Sequence, residues 1–533
     1  MTSTPSMASS SLSAPEKLSI KRQVFHGTFV HCKTLTDLEI LHDTYMFVDE
    51  HGVIVKILSG DGTGDARDLR EDVGELGWDA DVDDEREIFE YVGSSKDEHG
   101  EHGEERFFFP GFIEKEKKKK ITNPINKLLD THIHAPQYPN SGLFGSSTLL
   151  NWLNTYTFPL EASLSALPKA RAIYSHVIQR TLSHGTTTAA YYATIHVEST
   201  NLLAGLCLQK GQRALVGRCC MDSDSGANLD YYRDDNPTQS LERTKECISH
   251  CENIDPDRRL ITPILTPRFA PSCTPQLMGS LGKIAREKDL PIQTHISENR
   301  SEIQWVKELF PECNSYTDVY DKYSCLTPKT ILAHAVHIGE DEAALIRERG
   351  SGIAHCPVSN SALTSGMARV RWMIDRGLNV GLGTDVSGGF SASVLAAARE
   401  ASCVSRCVAA GIGASENTNG KERDTLSVPE VLYLATRGGA KVVGMEDKIG
   451  GFEVGKVWDA QLIGLGKPLM HRKEGEWEGQ EETHEVEVSQ TGPVDIFGWE
   501  NWDEKVAKWV FNGDDRNTMK VWVNGRLVHQ RRN

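Results

Sequence analysis

Two periodicities organise this chain. Short β-branched runs alternate with longer segments whose apolar residues recur three and four apart, the patterns of a buried strand and an amphipathic helix. The runs are GTTTAAYYATIHV (185–197), RALVGRCCM (213–221), LITPILTPRF (260–269), PIQTHISE (291–298), TILAHAVHI (330–338), GIAHCPVSN (352–360) and NVGLGTDV (379–386). Helical text such as TPQLMGSLGKIAREKDL, SEIQWVKELF and EDEAALIRERG lies between them. Strand alternating with helix builds a parallel sheet. Seven runs and one ending at 130–134 make eight, the number that closes a (β/α)8 TIM-type barrel.

The flanks follow a different grammar. Residues 1–17 are rich in Ser, Thr and Pro, the composition of a disordered tail. QVFHGTFVHC and LEILHDTYMFVDEHGVIVKI alternate as strands do, with a turn at 49–52, and MKVWVNGRLV near the C-terminus is a strand carrying an Asn-Gly turn. The expected architecture is therefore a barrel over 109–445 and a small β-sandwich domain built from both chain ends, 18–108 and 446–533. Within the N-terminal part, the acidic, Gly-rich stretch 60–106 reads as a solvated loop insertion, and the acidic stretch 473–490 as a surface loop.

One segment breaks the pattern. PGFI (110–113) reads as the start of a buried strand and DTHIHAPQY (130–138) as its continuation, yet EKEKKKKITNPINKLL (114–129) separates them. Lysines in a buried strand carry a large desolvation cost. The segment is read as a retained intron or gene-model error, with a genuine surface loop as the alternative.

Composition narrows the function. With 58 Lys+Arg against 75 Asp+Glu, the net charge of -17 speaks against a protein that coats nucleic acid or an anionic membrane. No apolar stretch approaches the roughly 20 residues of a membrane-spanning helix. The first 15 residues lack the basic start and apolar core of a signal peptide. Twelve scattered cysteines then read as reduced thiols, and the expected location is cytoplasmic.

The chemistry gathers at strand ends. His132 and His134 alternate on a strand, so both imidazoles share one face about 7 Å apart along the backbone. His295 stands near the end of QTHIS, His334 ends TILAH and Asp385 ends GLGTD. In a barrel these ends share one mouth, where active sites form. Imidazole nitrogens and a carboxylate suit Zn2+ and suit Ca2+ or Mg2+ poorly. Glu298, three residues past His295, can move a proton to and from a metal-activated water, or can serve only as a comfortable acid at a helix N-terminus.

DTHIHAPQY, NWLNTYTFPLE, HGTTTAAYYATIH, TPRFAPSC, HISENRSEI, GIAHCPVSN and GLGTDVSGG together resemble the guanine deaminase branch of the metal-dependent amidohydrolase superfamily. The likeness spans about residues 110–460 apart from the inserted segment. It implies one zinc per chain on His132, His134, His295 and Asp385, with His334 orienting water and intermediate and Glu298 shuttling the proton. Glu298, His334 and Asp385 would then be catalytic. Substrate contacts would fall on His134, Gln137, Arg268, Phe269, His295, Glu298 and Asp385. Phe269 offers a face to a flat purine, Arg268 a donor to its carbonyl and Gln137 an amide to a ring edge. Trp152 belongs equally well to the pocket or the core. The implied reaction is hydrolytic conversion of guanine and water to xanthine and ammonia, by a homodimer. Two alternatives stand beside it: another amidohydrolase acting on an amino- or chloro-substituted heterocycle, and a non-catalytic scaffold.

Other motifs carry less. His196-Val197-Glu198 has no accompanying P-C-x-x-C, which removes the unrelated zinc nucleobase deaminases. Cys247/Cys251 and Cys403/Cys407 sit one helical turn apart without a second pair, as packing thiols do; Cys219, Cys220 and Cys356 read as core. The G-x-G fragments lack the dinucleotide-binding context.

Overall fold

The computed structural model of the chain describes residues 20–60, 69–78, 89–91, 104–110, 129–145, 149–412, 424–447, 451–473, 476–479 and 492–532. The tail 1–17 and nearly all of the segment 114–129 lie outside the described residues.

Strands Leu129–His134, Thr188–Tyr192, Arg213–Gly217 and Ile261–Pro263 form one parallel sheet in that order. Ile292–Ile296, Thr330–His334, Gly352–His355 and Asn379–Leu382 form a second. A parallel bridge between Leu265 and Ile292 joins the two sheets on one side. On the other, the Asp385 amide donates to the His132 carbonyl at 2.9 Å and the Thr131 hydroxyl to the Leu382 carbonyl at 2.8 Å. The eight strands thus close on themselves, as the sequence pattern predicts.

Tight approach at this seam depends on Gly383. A Cβ there would lie 2.8 Å from His132 Cβ and 2.9 Å from Cys356 Sγ. Only glycine lets the last strand pass this close to the first metal-type histidine.

The helices form for readable reasons. Pro275–Lys288 starts where Thr274 caps it, accepting from the Leu277 amide at 3.2 Å, with Pro at the first turn. Leu277, Met278, Leu281 and Ala285 make its buried stripe. It ends at Asp289, in left-handed conformation.

GIAHCPVSN is shorter as a strand than its sequence suggests. The strand stops at His355, and Pro357 opens the helix Pro357–Ala362, a position for which proline is pre-set. PGFI also departs from expectation: Pro110 ends a strand of the small β domain, Glu105–Pro110, while Leu129–His134 forms the first barrel strand.

The small β domain draws on both chain ends, as expected. One sheet runs in the order Arg526–Gln530, Thr518–Val523, Ala460–Gly466, Glu105–Pro110, Gln23–Cys32, Leu38–Val48, Ile54–Ser59. Asn524 and Gly525 both take positive φ in the turn between the first two of these. Phe25 and Trp522 lie three strands apart, about 14 Å in a flat sheet, yet their rings are 5.4 Å apart. The sheet therefore curls around an aromatic core of Phe25, Phe29, Phe108, Trp458 and Trp522.

The acidic stretch 60–106 is not all solvated loop. It contains the helix Arg70–Glu75, and Leu69, Val73 and Trp78 pack on Val24, Tyr45 and Phe47. Apolar residues at helical spacing dock that turn in spite of its acidic surroundings. Similarly, the stretch 473–490 begins in a ladder pairing Met470–Lys473 with Glu476–Gly479.

Candidate active site

Each predicted chemical residue on a barrel strand sits at or just past that strand's C-terminal end. His132 and His134 project from one face of the first strand, their rings 4.9 Å apart. His295 follows on the fifth strand, His334 on the sixth, and Asp385 lies three residues beyond the eighth. His334 and Asp385 both have positive φ, 74° and 47°. Such strain in non-glycine residues concentrates where side chains must be aimed at a site.

The donor atoms converge. His132 Nε2 is 3.1 Å and His134 Nε2 3.4 Å from Asp385 Oδ1, and His134 Nε2 is 3.2 Å from His295 Nε2. Donors at roughly 2.0–2.1 Å from a tetrahedral ion lie about 3.3 Å from each other. These three separations are of the length of edges of such a shell. One ligand atom each from His132, His295, His334 and Asp385 also falls within 4.8 Å of the others. His132 Nδ1 is buried without a hydrogen-bond partner, and Nε2, 3.1 Å from Asp385 Oδ1, is the nitrogen that faces the cluster.

Electrostatics keeps these groups in ligand-ready form. Burial pushes the imidazoles of His132, His134 and His295 below their ordinary range, and neighbouring imidazoles push His134 and His295 further. That shift favours the neutral ring, the form whose lone pair can ligate. Burial opposes ionisation of Asp385, but the imidazoles of His132, His334 and His134 outweigh it and hold the carboxyl well below the usual carboxylate range. The Arg268 carbonyl, 2.6 Å from His295 Nδ1, accepts that proton and leaves Nε2 facing the cluster. His334 is fixed likewise by Asn360 Oδ1 at 3.0 Å from Nδ1.

Glu298 stands beside the cluster. Its Oε2 is 3.5 Å from His334 Nε2, and Ser365 donates to Oε1 at 2.8 Å. Burial raises its pKa, and the Asp385 carboxylate adds to the rise against the opposing pull of His334. A carboxylate lifted this way is suited to both taking and returning a proton.

An adjoining cavity is lined by Gln137, Arg268 and Phe269 together with His134, His295, Glu298, His334 and Asp385. Trp152 lines it as well, its indole donating to the Leu143 carbonyl at 3.1 Å. The structure thus gathers every candidate site residue of the sequence at one mouth. Two carboxylates were not foreseen. Glu161 is completely buried behind Arg268 and Gln137, and Glu302 lines the cavity behind Glu298. A signal was available for the first: a lone acid in the apolar, aromatic string TYTFPLE needs a buried cation.

A closed parallel barrel carrying histidines and a carboxylate at its C-terminal mouth is the architecture of a metal-dependent hydrolase. The chain belongs to the amidohydrolase family, whose profile matches residues 108–528. A probable guanine deaminase of Schizosaccharomyces pombe is 50% identical over 401 residues, 75% of this chain and 70% of that one. The guanine deaminase of Homo sapiens is 36% identical over 509 residues, 95% of this chain and 96% of its own. Among solved structures, the guanine deaminase from C. acetobutylicum with guanine bound in its active site is similar. It superposes with a TM-score of 0.74 at 30% identity, covering 95% of this chain and 100% of that one.

Proposed function

We propose that this chain is a guanine deaminase, hydrolysing guanine to xanthine and ammonia. The observation that carries this reading is the junction of two sets of side chains: a donor cluster with tetrahedral edge lengths, and the Gln137–Arg268–Phe269 wall beside it.

The donor set fits zinc, with His132, His134, His295 and Asp385 as the ligands. Bound there, zinc would lower the pKa of a water from about 15.7 to about 7 and so supply a nucleophile. Glu298 accepts the proton that water gives up and delivers it to the purine, on the way to ammonia. His334, locked by Asn360, keeps Nε2 toward Glu298 and Asp385 and so orients the water and the intermediate. Phe269 packs on the purine face, while Arg268 and Gln137 meet its polar edge. Leaving such a buried donor unpaired costs about 1–3 kcal/mol, which disfavours adenine. The family resemblance supports a homodimer. The twelve free cysteines support a reducing, cytoplasmic setting, and no helix among the described residues is long and apolar enough to cross a membrane.

Purified protein offered guanine, adenine, cytosine and a triazine tests the reading. Stoichiometric xanthine and ammonia from guanine alone is expected; turnover of another heterocycle with guanine inert overturns it.

A further inference from the structure

Glu161 lies in the helix Phe158–Ala162 and touches no donor of the metal-type cluster. Its carboxylate is nevertheless the hub of the purine wall. Oε1 accepts from Gln137 Nε2 at 2.8 Å and from Arg268 Nη2 at 3.0 Å. Oε2 accepts from Arg268 Nη1 at 2.6 Å and from the Tyr232 hydroxyl at 2.8 Å.

Two consequences follow from this arrangement. The first concerns Gln137. Its Nε2 faces a carboxylate, and its Oε1 receives the Ser387 amide at 3.3 Å. Turning the amide over would set oxygen against the carboxylate and NH2 against N–H. The side chain is thus held from both ends in one orientation.

The second concerns charge. Arg268 is fully buried beside the cavity and its bidentate partner cancels it, so the wall offers directed N–H donors without net positive charge. That distinction matters for a deaminase. Replacing the amino group of guanine by a second carbonyl leaves an N–H between two carbonyls, so the product is a stronger acid than the substrate and ionises more readily.

We propose that Glu161 is a positioning residue that neutralises Arg268 and fixes Gln137, so that the site accepts an uncharged purine and disfavours the ionised product. This rests on the guanine reading above, and it concerns how substrate and product are told apart.

The test is calorimetric titration with xanthine, which needs no turnover, from neutral to alkaline pH. For the wild-type protein, xanthine affinity should weaken as the ligand ionises. In Glu161→Gln the buried guanidinium loses its counter-charge, and affinity should instead rise with pH, by about tenfold or more. Glu161→Asp keeps the charge and should restore the wild-type direction even if the shorter arm raises KM for guanine. A wild-type affinity that rises with pH overturns the proposal without any variant. The same pH trend in wild-type and Glu161→Gln proteins does so too. A wild-type protein that releases no ammonia from guanine defeats the guanine reading alone, since the xanthine titrations still judge Glu161.

Discussion

Glu298 and Glu302 face the same cavity four residues apart, and burial acts on both. Glu302 accepts from the Glu298 amide at 3.0 Å, the Asn299 amide at 3.2 Å and the Tyr316 hydroxyl at 2.8 Å. Burial, and then the Glu298 charge, lift its pKa from 4.5 to about 7. Between those values the folded protein keeps a proton that the unfolded chain releases, so this carboxyl's contribution to stability is lost as pH rises through the window. Glu302→Gln stays neutral and can pair with the same groups. Its melting temperature should therefore gain on that of the wild type from about pH 4.5 to about pH 7, by an amount corresponding to on the order of 2–3 kcal/mol. Equal pH profiles would show that Glu302 ionises freely. Glu298→Gln belongs to the chemistry: kcat should fall by roughly 10²–10⁴-fold with metal content unchanged. Zinc analysis alongside steady-state kinetics separates that outcome from a damaged cluster. At this scale the sequence announces residues whose type and strand-end register are chemical, such as His132, His295 and Asp385. It marks Glu161 only as a lone acid in an apolar string and leaves Glu302 unannounced, because their roles depend on partners distant along the chain or folded back across a turn.

Elements carry the chemistry by where they start and stop. The helix Arg300–Leu309 opens with a capping box in which Asn299 accepts from the Ser301 amide at 2.9 Å and Glu302 returns to the Asn299 amide. The same cap pins the backbone of Glu298, so helix initiation and proton transfer share one turn. Asn299→Ala should cost about 1 kcal/mol of stability, and should lower kcat on guanine more than it raises KM. Denaturant melts and kinetics on one preparation check both; a stability loss with intact kcat would mean that Glu302 alone fixes Glu298. Helices with clear stripes and caps, such as Pro275–Lys288 and Glu340–Arg349, were legible from spacing. Strand ends were less so. In GIAHCPVSN the proline that stops the strand also opens a helix, and apolar content alone does not separate the two. The helix Arg70–Glu75 was hidden because acidic composition outweighed three apolar residues whose value depends on the sheet beneath them.

For the whole molecule, alternation of strand and helix made the barrel legible, since each parallel pair is local in sequence. The small sheet was legible only as strand-rich ends. Its register pairs Leu462 with Phe108 and Ala460 with Trp522, contacts that no local pattern encodes. A buried ion pair, Arg213 with Asp459 at 3.3 Å, ties the third barrel strand to the start of the C-terminal part of that sheet.

The proposed ligands come from barrel strands one and five and from just past strand eight, so an ion held there links distant parts of the closed ring. A ligand bound only by the folded state stabilises it by RT ln(1 + [L]/Kd), about 2.7 kcal/mol at a hundredfold excess over Kd and about 4.1 at a thousandfold. Removing the metal should therefore lower the melting temperature by several degrees, and stoichiometric zinc should restore it. Because burial lowers the pKa of His132, His134 and His295, the difference should persist into mildly acidic pH, below where free histidine protonates. Asp385→Asn removes the charged donor shared by His132 and His134 and should shrink the zinc-dependent shift. Identical melting curves with and without chelator, on protein shown by elemental analysis to differ in zinc, would remove this cluster as the metal site and with it the proposed route to the nucleophile.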